Sequence, residues 1–347
     1  MADTSKQIRA FDADGHFLER IEDILPYIEA PWRGQAELWP GDQPWVINPP
    51  QPRPYDYGFR LTPAEQLDIW HRVLDDHDIE GTELFSSLGA ASVCTIQAPD
   101  FAVAAARACN THFATDYASD RLKPMGVLPM RDPQAAAAEL RRAAGLGIIG
   151  FEVMPIGLPF GLGDPFYDPI YRAAEDLDVT ICVHGTRLAS HEFGASILRN
   201  FSEVHTYAFP AGVILHFTSV MTQGLPLRFP SLRMAFLEIG CTWLPYYLDR
   251  LDEHYEKRGP TDMPMLSDRP SDMFRGSRIK VSLEAIESLL PQTVEYVGAG
   301  HLVYATDLPH WDTEFPANLR EVRETGALSP AVKERILYSN AKELFRT

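Results

Sequence analysis

The run Phe11-Asp12-Ala13-Asp14-Gly15-His16 places a carboxylate and an imidazole two residues apart near the start of the chain. On a β-strand, residues i and i+2 share one face, so Asp14 and His16 would converge at the strand's end. Such a pair begins a metal site and does not complete one. Three further apolar segments end in groups able to join it. Thr180-Ile181-Cys182-Val183-His184 ends in His184, Met234-Ala235-Phe236-Leu237-Glu238 in Glu238, and Val303-Tyr304-Ala305-Thr306-Asp307 in Asp307. Each group taken singly has an ordinary structural explanation. Together, ionisable groups at the ends of four apolar strands are unfavourable to bury without a common partner. A divalent cation supplies one. Asp14, His16, His184 and Asp307 offer two imidazoles and two carboxylates, which suits Zn²⁺ first, and Mn²⁺ or Fe²⁺ at higher coordination. A coordination position open to water or substrate would make the site catalytic.

The elements that must position these groups are legible as a rhythm. Short apolar or β-branched runs alternate with amphipathic stretches along the 347 residues. Strands are expected over 9–16, 81–87, 122–130, 148–155, 179–186, 233–240, 279–285 and 302–308. Eight is the number that closes a (β/α)8 TIM barrel. Helices are expected between them. Thr62 precedes Pro63 and stands three residues before Glu65, a capping box at the start of a helix. Later helices are placed at 101–117, from Asp132-Pro133 to Gly145, at 165–178, 210–223, 243–258 and 316–325, and from Ser329-Pro330 to Phe345. Two segments break the rhythm. Residues 25–60 carry Trp32, Trp39 and Trp45 among many prolines, and 187–206 form a long connection after strand five. Both insertions follow strands at the C-terminal face of a barrel, where barrel enzymes place their sites. The 25–60 segment reads equally as a substrate lid and as an interface segment. Residues 1–347 are read as a single metal-dependent barrel domain.

Composition narrows the function. Apolar residues make up 45% of the chain, and no run approaches the roughly 18 that a membrane helix needs. The first residues lack a basic region followed by an apolar stretch, so no signal peptide is expected. A net charge of −17 repels phosphate backbones and anionic lipid, which argues against nucleic acid or membrane as partners. The four cysteines, Cys94, Cys109, Cys182 and Cys241, form no CxxC pair or disulfide framework, consistent with a reducing cytoplasm.

Several segments carry a family resemblance: Asp12-Ala13-Asp14-Gly15-His16, Val183-His184-Gly185, Arg228-Phe229-Pro230-Ser231-Leu232-Arg233, Phe236-Leu237-Glu238-Ile239-Gly240, Trp243-Leu244-Pro245, and Ala305-Thr306-Asp307-Leu308-Pro309-His310-Trp311. With Arg335-Ile336-Leu337-Tyr338-Ser339-Asn340-Ala341 they span most of the chain, which resembles the amidohydrolase superfamily in its amidohydrolase-related branch. That branch includes aminocarboxymuconate-semialdehyde decarboxylase and the resorcylate-type decarboxylases. The resemblance implies a (β/α)8 barrel with one divalent metal held from strand one, His184 and Asp307, and a tendency to homodimers. Strand one of the family carries His-x-His or Glu-x-His, where this chain has Asp14-Gly15-His16. The decarboxylases carry a catalytic His at the end of strand six, where this chain has Glu238.

Two enzymatic readings follow, and the first is the expectation. In it the chain is a hydrolase of a small, carboxylate-bearing cyclic or aromatic substrate. A metal-activated water attacks, Asp307 accepts its proton, and Glu238 serves as a second acid/base with its pKa raised by burial. Arg187, His191, His310 and Trp311 are the candidates to contact the substrate, an arginine fork being suited to a carboxylate. In the alternative, the same metal holds the carboxylate of an aromatic or muconate-like acid, Asp307 protonates carbon, and CO₂ leaves. A third reading is a barrel that has lost its metal, against which the Asp14, His16, His184 and Asp307 set stands. Glu152 and Glu284 are candidates for a supporting shell. His216 is read as a packed helix residue. The glycine-rich run 157–163 lacks the Lys-Ser/Thr of a phosphate loop and reads as a loop near the substrate.

Overall fold

Parallel strands follow one another in chain order around a barrel. They are β1 (Ala10–Phe17), β2 (Ile79–Ser86), β3 in two pieces (Leu122–Pro124 and Gly126–Val127), β4 (Gly150–Val153), β5 (Thr180–Val183), β6 (Arg233–Phe236), β7 (Ile279–Leu283) and β8 (Leu302–Tyr304). The computed structural model describes residues 8–35, 39, 61–186, 190–283 and 286–347. The two pieces of β3 flank Met125, whose N–H still donates to Leu84 O at 2.8 Å and keeps the ladder continuous. The barrel closes between its first and last strands. Asp307 N–H donates to Asp14 O at 2.8 Å, and His16 N–H donates to Leu308 O at 2.7 Å. The buried Asp12 carboxylate pins the same seam. It accepts from Thr306 N and Oγ1, both at 2.8 Å, and from Thr82 Oγ1 on β2 at 2.8 Å.

The barrel interior is filled by Phe11, Phe85, Met125, Cys182, Leu237 and Val303, and its lower end is plugged by Leu344 and Phe345 of the C-terminal helix. Helices wrap the outside. The first long one, Pro63–His77, starts where the capping box requires: Thr62 N donates to Glu65 Oε2 at 2.7 Å, and Glu65 N returns to Thr62 Oγ1. It buries Trp70 against β1 and β2. No described helix is long and apolar enough to cross a membrane.

Three expectations change. Most strands end two to four residues earlier than expected, and at β5, β6 and β8 the residues just beyond the end include His184, Glu238 and Asp307. The connection after β5 is not open through Thr206. Asn200 and Glu203 form a capping box that starts a helix at Phe201, and Phe201–Thr222 carries Pro210 inside it rather than at its start. In the 25–60 insertion, residues 36–38 and 40–60, with Trp45, lie outside the described residues, and so do Arg187 and Glu284.

Candidate metal centre

Each site residue stands at the upper end of a strand. Asp14 and His16 project from β1 with Gly15 between them. A Cβ at Gly15 would come within 2.5 Å of the Trp70 ring and 2.7 Å of Thr82 Oγ1, so only glycine fits there. Trp70 Nε1 donates to His16 O at 3.0 Å and fixes that end of the strand. Gly185, after His184, is constrained similarly: a Cβ would lie 2.8 Å from both Glu238 Oε2 and the Phe209 ring. Glu238 and Asp307 both turn out of their strands with left-handed backbone, φ 69° and 52°.

These turns bring the groups together. His16 Nε2 lies 3.4 Å from Asp14 Oδ1, 3.4 Å from Asp307 Oδ1 and 3.2 Å from His184 Nε2. His184 Nε2 is 3.4 Å from Asp14 Oδ2. On its other side, His184 Nδ1 faces Gly185 O at 2.9 Å and Glu238 Oε2 at 3.2 Å. His310 Nδ1 sits 2.5 Å from Asp307 Oδ1 and 3.2 Å from Glu238 Oε1. Among the described residues, two groups whose ligand atoms lie close enough together to hold a metal ion therefore overlap at His16. One is Asp14, His16 and His184; the other is His16, Glu238, Asp307 and His310. The four residues expected as ligands are divided between them.

The electrostatics are those of charges gathered away from water. Burial, then the nearby Asp307 and Asp12 carboxylates, raise the Asp14 pKa well above the usual range. Neither Asp14 oxygen has a hydrogen-bond partner among the described residues. Burial and the neighbouring His310 lower the His16 imidazole. Burial would raise Asp307, but the His310 and His16 rings beside it outweigh burial and hold it below the ordinary carboxylate range. Burial also opposes charge on His310, and Asp307 and Glu238 overcome it and raise its pKa. Glu238 is pushed up to about 8 by burial, as is Glu152, whose Oε1 lies 4.0 Å from His184 Nδ1. An orphaned buried carboxylate flanked by two imidazoles, with further carboxylates alongside, fits a divalent cation.

A cleft of roughly 600 Å³, partly open to solvent, descends onto His16, His184, Glu238 and His310. Its walls are largely apolar, with Ala91, Met154, Phe201, Phe209 and Trp311. At the mouth, His205 packs edge-on against Trp311, and His205 Nε2 approaches Asp312 Oδ2 at 3.7 Å. Of the residues expected to touch substrate, Trp311 and His310 line this cleft. His310 sits deeper than that role requires, against Asp307 and Glu238. His191 is exposed on the short turn Ser190–Phe193 and does not line the cleft. The aromatic wall from Phe201 and Phe209 went unrecognised in the sequence. The signal for Phe209 was the charge-free run 204–222, which reads as packing only, and Phe201 lies before that run, on the far side of Glu203.

The chain matches the amidohydrolase family over residues 12–347. It is 25% identical over 296 residues to a gamma-resorcylate decarboxylase of Rhodococcus jostii, covering 80% of this chain and 87% of that protein. It is 28% identical over 267 residues to the decarboxylase orsB of Emericella nidulans, covering 70% and 76%. Its fold superposes with a TM-score of 0.71 on a dihydroxybenzoic acid decarboxylase from Polaromonas sp. JS666 that holds manganese and the inhibitor 2-nitroresorcinol. That match has 23% identity and covers 97% of each chain. These relatives correct the hydrolase expectation, which leaned on Glu238 replacing a histidine; they are decarboxylases, and the alternative reading is the one they support. With the family's pattern running from Asp12 to the last residue, the chain belongs to the amidohydrolase family.

Proposed function

We propose that the chain is a metal-dependent, non-oxidative decarboxylase of a small aromatic acid. The observation that carries this is the ring-walled, apolar cleft opening directly onto the cluster, with Glu238 and His310 in its floor. The two curated relatives, both decarboxylases, support the same reaction. Asp14, His16, His184 and Asp307 are the residues proposed to hold the cation. Manganese is the first ion to test, as it occupies the Polaromonas structure, with zinc beside it. Bound there, a divalent cation would supply a Lewis acid for the carboxyl-bearing end of the substrate.

The protein's own part is positioning and proton supply. Phe201, Phe209 and Trp311 pack the ring and exclude water from it. The proton for the carboxyl-bearing ring carbon is held at His310 Nδ1, between Asp307 Oδ1 and Glu238 Oε1. When it moves to that carbon, the bond to the carboxyl carbon breaks, its electron pair stays with the ring, and CO₂ departs. Glu238 stands where the decarboxylases carry histidine, and it keeps a hydrogen-bonding group in contact with both His310 and His184. The test is CO₂ release from 2,6-dihydroxybenzoate and 5-carboxyvanillate by protein loaded separately with Mn²⁺ and Zn²⁺. Metal-dependent release from at least one acid is expected. Metal-loaded protein that releases none from either acid, or from a wider panel of hydroxylated benzoates, overturns the assignment.

A further inference from the structure

At the opposite end of the barrel, where the strands begin, we infer a binding site for a multivalent oxyanion of the phosphate or polycarboxylate kind, built from Arg233, Arg278, Lys280 and Arg346. These four side chains and Glu343 line one cavity of roughly 650 Å³, partly open to solvent. The concentration of positive charge runs against the rest of the molecule, whose net charge is −17. It is also built into the fold. Arg233 opens β6 and Lys280 lies in β7, with only 4% and 7% of their surfaces exposed.

The carboxylates nearby do not neutralise these cations. Asp178 is shared by Arg233 and Arg346, which pair with its two different oxygens. Glu343 is shared by Lys280 and Arg335, each at 3.5 Å. Lys280 Nζ also donates to Gly300 O at 2.8 Å. Arg278 is exposed and makes no hydrogen bond or ion pair among the described residues. Five cations therefore face two carboxylates. The Arg233 pKa is lowered mainly by burial; Asp178 opposes this, and the neighbouring Arg346 and Arg278 add to the lowering by repulsion. Lys280 is lowered by burial, against the pull of Glu343 and with a smaller push from Arg335. An anion with several charged oxygens would relieve this repulsion and meet the arginine forks with charge-assisted hydrogen bonds.

Occupancy would also tie down the barrel's plug. Glu343 lies in the C-terminal helix Asn340–Phe345 and Arg346 directly follows it, while Leu344 and Phe345 fill the lower end of the barrel. Thr180 Oγ1, at the start of β5, donates to Leu344 O at 2.5 Å. The anion would bridge that helix to the starts of β6 and β7.

The test is thermal unfolding of the full chain in rising sodium phosphate or sodium citrate, each against sodium chloride at matched ionic strength. A saturable rise in midpoint with phosphate, citrate or both, beyond that in chloride, is expected, and the arm that saturates at lower concentration identifies the anion class. Arg278→Glu should move the half-saturating concentration up by about tenfold or more. Arg278→Gln, which removes the charge without reversing it, should move it in the same direction. Arg278 is exposed, so both variants are expected to fold, as circular dichroism would verify. Responses no larger than those in chloride, or half-saturation unchanged in both variants, overturn the site. Neither result bears on decarboxylation, since the cavity lies away from the cleft.

Discussion

Asp14 is the residue at which cation binding and apoprotein stability should trade against each other, and Asp14→Asn measures both. The side chain is fully buried and neither oxygen is hydrogen-bonded among the described residues, while His16 Nε2 and His184 Nε2 lie 3.4 Å away on either side. Without a cation, an orphaned buried polar group costs about 1–3 kcal/mol, and more when it is charged. Asparagine keeps the shape, removes the charge and gives an N–H that can donate to either imidazole. The cation-free variant should therefore be more stable than the wild type by about 1–3 kcal/mol. At about 2.1 cal/mol/K of unfolding entropy per residue, a chain of 347 residues loses or gains a degree for every ~0.7 kcal/mol. The apoprotein midpoint should rise by about 1–4 °C. The wild type behaves oppositely with metal: at a hundredfold excess over Kd, binding adds about 2.7 kcal/mol, or ~4 °C. That increment should be lost in the variant. Differential scanning fluorimetry of chelator-treated protein at pH 8, with and without Mn²⁺ or Zn²⁺, reads both effects. Metal content by elemental analysis checks the stoichiometry. An apoprotein midpoint that falls in Asp14→Asn, or a metal-induced rise that survives it, would refute the placement of Asp14 in the cation site.

Three other perturbations probe separate parts of the structure. Glu238→Gln should reduce decarboxylation by about 100-fold or more, while leaving the metal-induced thermal shift intact, because it weakens the proton-holding group and spares the four proposed ligands; equal loss of both would make Glu238 a ligand. His216 is buried, accepts from Leu162 N at 3.2 Å, and has its pKa lowered to about 4 by burial. Because the folded-state pKa lies below the unfolded value, the unfolded chain takes up the proton first as pH falls. Stability is then complete above about pH 6.5 and declines by ~3 kcal/mol towards pH 4. His216→Asn should flatten that limb of denaturant unfolding midpoints against pH, and superimposable curves would contradict it. Gly15→Ala should destabilise the fold by about 1–3 kcal/mol through collision with Trp70 and Thr82, and weaken metal binding by displacing His16. An unchanged midpoint would show that Trp70 yields its position freely.

The parts of this molecule that follow period and capping were readable from sequence. The alternating pattern located all eight strand positions, and Thr62 with Glu65 located a helix start. His184, Glu238 and Asp307 were found because a polar group closes an apolar run. What was not readable depends on turns of one or two residues. His310 was expected at the substrate and does line the cleft, but its place in the cluster was not readable: a turn in which its N–H donates to Asp307 O at 2.9 Å sets the ring over His16, with centroids 4.0 Å apart. The start of the helix at Phe201 was missed because Pro210 looked like a first helical residue. The side-chain cap from Asn200 set the boundary instead, and the proline was absorbed within the helix. The cationic cavity was invisible for another reason. Arg233, Lys280 and Arg346 are far apart in the chain, and only closure of the barrel and docking of the C-terminal helix bring them together.

Backbone conformation separates the site carboxylates from the rest of the chain. Five described non-glycine residues have positive φ: Asp78, Asp178, Glu238, Asp307 and Arg346. Asp78, Asp178 and Arg346 each end a helix in the left-handed conformation, a common way to terminate one. Glu238 and Asp307 end no helix. Each holds a conformation that costs an L-residue roughly 1–2 kcal/mol, and glycine would adopt it more easily. What the strain secures is direction: it turns a carboxylate at a strand's end inward, to within 3.2 Å of His310 Nδ1 for Glu238 and 2.5 Å for Asp307. Regular strand structure ends at Phe236 and Tyr304, just before these two residues, and single backbone bonds carry the pairing on: Leu237 N–H donates to Val183 O and Ala305 N–H to Leu283 O. At these two strands the end of regular pairing and the assembly of the cluster coincide in the backbone. A sequence pattern that reports burial alone extends the strands through the residues that must leave them.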